Sequence, residues 1–248
     1  MNGITFEKSE YRGYEALIFE IDSRKVTLVR PNKVAGHRRH VMKTQYFDAF
    51  PELQIAMLER GYHLTYVENR SRWGTDEDCH TKAEVMRFLN KRFSLYSRVI
   101  TVGMSCGGFH AVNFASLYPE MQSFLYLDAP LLSFLSYPYG MGEIPRNEGV
   151  ISEITAAYGF DLAHALAYNR QPIHRLQALT DARLPVALVY GDADKTVSCR
   201  ENALILKEFY EKEGAPIRTW CKPGCDHHPH GPLDKMDEVI SYIEEQML

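Results

Sequence analysis

Cysteine is scarce in this chain: there are five thiols in 248 residues, an odd number. They stand at Cys79, Cys106, Cys199, Cys221 and Cys225. That count does not fit the disulfide frameworks with which small secreted domains compensate for small cores. Reduced thiols in a cytoplasmic protein are the expectation. No apolar run reaches the roughly 18 residues that a membrane-spanning helix needs. The opening residues, Met1-Asn2-Gly3-Ile4-Thr5-Phe6-Glu7-Lys8, lack a basic segment followed by an apolar one, so no signal peptide is read there. Positive charge is not in excess either. Lys plus Arg total 28 and Asp plus Glu total 32, a formal balance of −4. That is a poor footprint for general nucleic-acid binding. There is no internal repeat, low-complexity tract or Ser/Gly-rich linker, so one domain over 1–248 is expected.

What remains is ordinary globular composition, 45% apolar and 24% charged, with ample length for a buried core. Strand-like and helix-like stretches alternate. Tyr14 to Ile21 and Lys25 to Val29, joined at Asp22-Ser23, read as an antiparallel edge hairpin. Tyr46 to Arg60 carries an apolar stripe that ends at Gly61 and predicts a helix. Further on, strands are predicted at Tyr62–Val67, Val99–Val102, Phe124–Leu127, Val186–Tyr190 and Ile217–Cys221. Helices are predicted at Lys82–Phe93, Phe109–Leu117, near Glu201–Glu211, and at Asp234–Met247. Short, continuously apolar strands alternating with helices imply a mostly parallel sheet covered on both faces. The segment 130–184 breaks this rhythm and is too long for a plain loop. A small cap insertion at about 131–182 is expected there.

The sharpest chemical signal is Gly103-Met104-Ser105-Cys106-Gly107-Gly108, between a predicted strand and a predicted helix. A nucleophile elbow needs this context. The turn strains the serine backbone, so its neighbours must be small, and the helix N-terminus favours developing negative charge. A serine nucleophile needs a base, and the base needs a carboxylate to orient it. Downstream, Gly191-Asp192-Ala193-Asp194 follows one strand, and Cys225-Asp226-His227-His228-Pro229-His230 follows the next. Asp192, Asp194 and Asp128 are candidate acids, and His227, His228 and His230 are candidate bases. The same histidines with Cys221 and Cys225 are zinc-type ligands. However, Cys221 falls inside a strand and the cysteines lack the usual close spacing, so no metal is expected. Cys106 sits one position off the elbow apex and is not read as the nucleophile.

With these elements in order, the sequence resembles the α/β-hydrolase superfamily, and within it small bacterial serine hydrolases related to prolyl oligopeptidase-like and esterase families. The resemblance runs from about Val29 to the C-terminus. It rests on residues 103–108, Leu127-Asp128-Ala129-Pro130, Gln171-Pro172-Ile173, Gly191-Asp192-Ala193-Asp194, Lys222-Pro223-Gly224 and His227-His228-Pro229-His230. It implies Ser105 as nucleophile, Asp194 as acid and His227 as base, with no cofactor. An oxyanion hole is expected from the backbone N–H of Cys106 and a second N–H near Arg39 or His40. Met104, Tyr137 and His40 are expected to contact substrate. Lys33, His37, Arg38, Arg39, His40 and Lys43 form a basic stretch that reads either as a solvated face or as a pocket mouth attracting anionic substrates. The implied reaction is hydrolysis of small-molecule carboxylic esters. Amide or aminopeptidase-like hydrolysis is an alternative, as is a non-catalytic binding member of the fold. Nucleic acid and membrane are not expected partners, and a homodimer is left open.

Overall fold

The computed structural model describes residues 4–247. The strands are β1 (Glu7–Tyr11), β2 (Tyr14–Ile21), β3 (Arg24–Val29), β4 (His40–Lys43), β5 (His63–Val67), β6 (Val99–Met104), β7 (Gln122–Asp128), β8 (Val186–Gly191) and β9 (Ile217–Lys222). The helices are α1 (Glu52–Glu59), α2 (Asp76–Phe93), α3 (Cys106–Leu117), α4 (Glu148–Tyr158), α5 (Leu162–Ala167), α6 (Leu176–Asp181), α7 (Ala203–Lys212) and α8 (Met236–Gln246). One nine-stranded sheet runs β1-β2-β3-β5-β4-β6-β7-β8-β9. The first three strands meander antiparallel, and β3 joins β5 antiparallel. From β5 through β9 every pairing is parallel.

Side chains alternate across the sheet as strand geometry requires. Ile100 and Val102, Phe124 and Tyr126, and Ala187 and Val189 pack with Leu53, Met57 and Leu58 of α1 and Val239, Ile240 and Ile243 of α8. On the opposite face, Leu125, Leu127, Val186 and Leu188 meet α3 and α7 through Ala111, Val112, Leu206 and Tyr210. Val99 and Met42 meet α2 through Val85, Met86 and Leu89. Both faces are thus covered, which is why the central strands read as unbroken apolar runs rather than as alternation.

Several elements depart from the expectation. β4 falls inside what reads as the loop before a helix at Tyr46. Its ends, His40 and Lys43, are each 1% exposed, which their residue types do not announce. His40 bonds the Thr65 hydroxyl at 3.1 Å, and Lys43 donates to the Ala49 carbonyl. The helix then begins at Glu52. Pro51 disfavours helical backbone at the residue before it, and Tyr46 and Phe50 sit at φ 55° and 47°. In the other direction, α2 starts earlier than its apolar pattern. The Thr75 hydroxyl caps it by accepting the Asp78 N–H at 3.3 Å, and Asp76, Glu77 and Asp78 fill the first turn.

Between β7 and β8 lies a segment that carries α4, α5 and α6. Asn147 caps α4, its side chain accepting the Val150 N–H. Ile151 and Ile154 of α4 pack over Trp73, Cys106 and Phe134. Gln171 is fully buried, and its Oε1 accepts the Phe134 N–H at 2.9 Å, which ties the two ends of the segment together. Leu176 and Leu179 of α6 belong to the core that covers the sheet, whereas Ile151 and Ile154 of α4 pack in a separate cluster.

Candidate active site

The elbow forms where β6 runs into α3. Ser105 has φ 53° and ψ −123°, a left-handed position that costs free energy for a residue with a side chain. The neighbours show how it is held. Ser105 N–H donates to the Asp128 carbonyl at 3.0 Å, and its own carbonyl accepts from Gly108 at 2.8 Å and Leu131 at 3.0 Å. The turn also demands glycine. A Cβ on Gly103 would stand 2.6 Å from the Gly107 carbonyl oxygen, and one on Gly108 would stand 2.8 Å from Pro130 Cα.

At the C-terminal ends of β8 and β9 two turns interlock. A Cβ on Gly191 would lie 2.3 Å from the Cys225 carbonyl oxygen, so only glycine lets them approach. Asp192 accepts the Gly224 N–H at 2.6 Å. Asp226 accepts the N–H groups of Lys195 at 2.8 Å and His227 at 2.7 Å, and these backbone bonds hold its carboxyl below the usual range. Asp192 and Asp226 are thereby occupied in fixing the turns. Asp194 is different. Its Oδ1 accepts the N–H of Thr196 and of Val197, both at 2.8 Å, while its Oδ2 lies 2.7 Å from His227 Nδ1. The other ring nitrogen of His227 lies 3.0 Å from Ser105 Oγ. The His227 and Asp194 side chains are 7% and 2% exposed, so the pair is shielded from competing water.

The rival residues form a second layer. Asp128 Oδ2 accepts the Gly231 N–H and, at 3.4 Å, the Tyr126 hydroxyl. Its Oδ1 faces Lys222 at 3.8 Å and His230 Nδ1 at 3.3 Å, in ion-pair range without hydrogen-bond alignment. Lys222 donates to the Pro229 carbonyl at 2.6 Å. This buried group therefore braces the segment that carries His227. His230 packs edge-on to His227 at 4.9 Å, while His228 is exposed and stacks on Phe50.

Other expected site residues separate. Cys106 is the first residue of α3, so its N–H has no partner within the helix. Burial pushes its thiol up, and the Arg72 guanidinium opposes the shift. Tyr137 is half-buried and packs in the apolar group that includes Cys106 and Trp73. Met104 lines a narrow cavity of about 20 Å³ with Lys43, Tyr126 and Asp128. Arg39 and His40 do not reach the elbow. His40 pairs in register with Val99 at the start of β6, whereas Ser105 follows the end of that strand. Arg39 N–H donates to His37 Nδ1 and its guanidinium to the Met247 carbonyl. The basic stretch up to His40 therefore lies at the far edge of the sheet.

The loop that does reach the elbow leaves the other end of β4. Thr44 Oγ1 donates to the Gly107 carbonyl at 2.7 Å, and the Gln45 backbone nitrogen lies 3.7 Å from where a Cβ on Gly107 would stand. Sequence reading missed Gln45 because it missed β4. Among the described residues no three His, Cys, Asp or Glu side chains are grouped to hold a metal ion.

The chain has the α/β-hydrolase fold. No protein-family model and no curated protein matches it, but solved structures do. A structure named as a dipeptidyl aminopeptidase IV from Bacteroides ovatus superposes with TM-score 0.68 at 13% identity, covering 98% of this chain and 36% of that one. This chain thus spans well under half of that protein. Est1E from Butyrivibrio proteoclasticus gives TM-score 0.62 at 14% identity, covering 94% and 98%. An S-formylglutathione hydrolase from Agrobacterium tumefaciens gives 0.65 at 16%, covering 98% and 99%. Likeness at these identities is one of fold.

Proposed function

We propose that this chain is a serine hydrolase that cleaves carboxylic esters of small molecules. The observation that carries the reading is the chain of contacts from Ser105 Oγ to His227 Nε2 at 3.0 Å, and from His227 Nδ1 to Asp194 at 2.7 Å. In this reading His227 Nε2 takes the Ser105 proton as Oγ attacks the ester carbonyl carbon. The carbonyl oxygen becomes an oxyanion that accepts from the N–H groups of Cys106 and Gln45. Gln45 takes the place expected of Arg39, since it borders the elbow and Arg39 does not. Collapse expels the alkoxide, which takes the proton back from His227. Water then attacks the acyl-enzyme and gives its proton to His227. Release of the acid returns that proton to Ser105. A solved neighbour named as an S-formylglutathione hydrolase supports the hydrolase reading. The neighbour named as an aminopeptidase keeps amide hydrolysis as the second reading, because the cap and not the triad selects the leaving group. The five unpaired cysteines support a reducing, cytoplasmic setting.

A fluorophosphonate probe tests the proposal. The native protein is expected to label and Ser105→Ala is not. An unlabelled native protein, inactive on a panel of nitrophenyl esters and peptide amides, would instead favour a binding member of the fold.

The basic stretch gives a sharper expectation than its sequence did. An Arg38→Ala, Arg39→Ala double variant should hydrolyse neutral and anionic esters in the parent's ratio, since both residues lie at the far sheet edge. A selective loss of the anionic ester, read by comparing kcat/KM for the two, would return this stretch to the site.

A further inference from the structure

A buried lysine faces the loop that holds Gln45. Lys82, on α2, is 0% exposed, and burial pushes its ammonium down from the ordinary value. Asp78, one helical turn earlier and also buried, supplies negative charge. It accepts from Arg24 Nη1 at 2.6 Å and from the Arg70 N–H at 3.0 Å. Lys82 Nζ itself donates to Asn69 Oδ1 and lies 3.5 Å from His110 Nδ1.

The direction of these bonds is forced. An ammonium can only donate, so the carbonyl end of Asn69 must face Lys82. The amide end is thereby turned to the loop after β4. There Asn69 Nδ2 donates to the Thr44 carbonyl at 2.6 Å and to Gln45 Oε1 at 2.7 Å. Thr44 is also held from the elbow side. Its N–H donates to the Val102 carbonyl at 3.0 Å and its hydroxyl to the Gly107 carbonyl at 2.7 Å.

The Thr44 carbonyl and the Gln45 N–H belong to one planar trans peptide, in which they point in opposite directions. A bond that fixes the carbonyl therefore fixes the N–H. Asn69 draws the carbonyl to its own side and leaves the Gln45 N–H facing the other way, where its nitrogen borders Gly107. We propose that Asn69, oriented by buried Lys82, is a positioning residue that sets the Thr44–Gln45 peptide so that its N–H completes the oxyanion hole. The proposal rests on the serine-hydrolase reading. It gives buried Lys82 a task that packing alone would not require, since a buried ammonium is costly and an apolar residue would fill the same volume.

The test compares Asn69→Ala, Asn69→Asp and Lys82→Met with the parent. Turnover of p-nitrophenyl acetate is measured alongside inhibition by phenylboronic acid, whose tetrahedral serine adduct presents an oxygen to the hole. Removing an oxyanion donor outright costs about 100- to 1,000-fold in kcat, so a donor left loose should cost about 10- to 100-fold. KM should stay within about threefold, and boronate affinity should fall in proportion to kcat. Asn69→Asp should resemble Asn69→Ala, because an aspartate has nothing to donate to Thr44. A folded Asn69→Ala that keeps kcat and boronate affinity within about twofold overturns the clamp, even if its thermal midpoint falls. Where Lys82→Met does not fold, the two Asn69 variants carry the test. A parent that neither turns over ester nor labels with fluorophosphonate overturns the hydrolase reading and the clamp with it. An active parent with an unaffected Asn69→Ala overturns the clamp alone.

Discussion

An Asp194→Asn variant is expected to keep its fold and lose about 10⁴-fold in kcat, the scale known for the equivalent change in a serine protease triad. The loss follows from how Asp194 is held. Its Oδ1 accepts two backbone N–H groups, from Thr196 and Val197, at 2.8 Å each. An asparagine must keep its only oxygen there, because an NH2 group facing two N–H donors would leave all of them unsatisfied. Its NH2 is then pointed at His227 Nδ1, 2.7 Å away in the parent. That nitrogen must become an acceptor, so the ring proton moves to Nε2. An Nε2 that already carries a proton cannot take one from Ser105. The turn hydrogen bonds survive, so the thermal midpoint should change little. Asp192→Asn should be nearly silent in kcat, since Asp192 accepts only the Gly224 N–H and its replacement can do the same. Equal losses in both variants, or a silent Asp194→Asn, would move the acid elsewhere, with Asp128 next in line.

How far this site could be read from the chain depends on whether the constraint is local. Ser105 was legible because its strained turn writes glycines at 103, 107 and 108 within six residues. The doubly covered strands β6 to β8 were legible because burial on both faces leaves unbroken apolar runs. Asp194 and His227 were legible as members of short sets, one at each strand end. Telling Asp194 from Asp192 required the resemblance, and the structure brings only Asp194 to His227. β4 was illegible for a specific reason. Its four residues begin with histidine and end with lysine, polar ends that are buried because His40 bonds Thr65 of β5 and Lys43 bonds the Ala49 carbonyl in the loop that follows. Missing β4 reversed the polarity of the loop, so the expectation fell on Arg39 before the strand, whereas the residues that border the elbow, Thr44 and Gln45, follow it. The path from Lys82 through Asn69 to Thr44 joins three separate segments, and no spacing rule reports it.

Acidification from pH 7 to pH 5 is expected to remove much of the stability of this fold. His40 and His110 are 1% and 0% exposed, and burial pushes each down to about 3. His63, beside His40 in the sheet register, is pushed down to about 4 for the same reason. Their folded values lie below the unfolded value of about 6.5, so between the two the unfolded chain binds more protons. The stabilisation from keeping them neutral is whole above about pH 6.5 and is lost as pH falls toward 4. At pH 5 each histidine costs about 2 kcal/mol, so the three together cost about 6 kcal/mol. That is comparable with the 5–15 kcal/mol that holds a typical domain together. Further loss below about pH 4 belongs to carboxylates such as Asp78. Burial opposes ionisation of Asp78, but Lys82, His110 and its hydrogen bonds hold its pKa down. Urea midpoints at pH 7, 6 and 5 measure the histidine contribution separately. The midpoint should fall steadily across that window, and a His40→Gln variant should fall less steeply than the parent. A midpoint that stays flat from pH 7 to 5 would mean that these histidines find solvent or a proton acceptor when charged, and that the structure around them yields more easily than its packing implies.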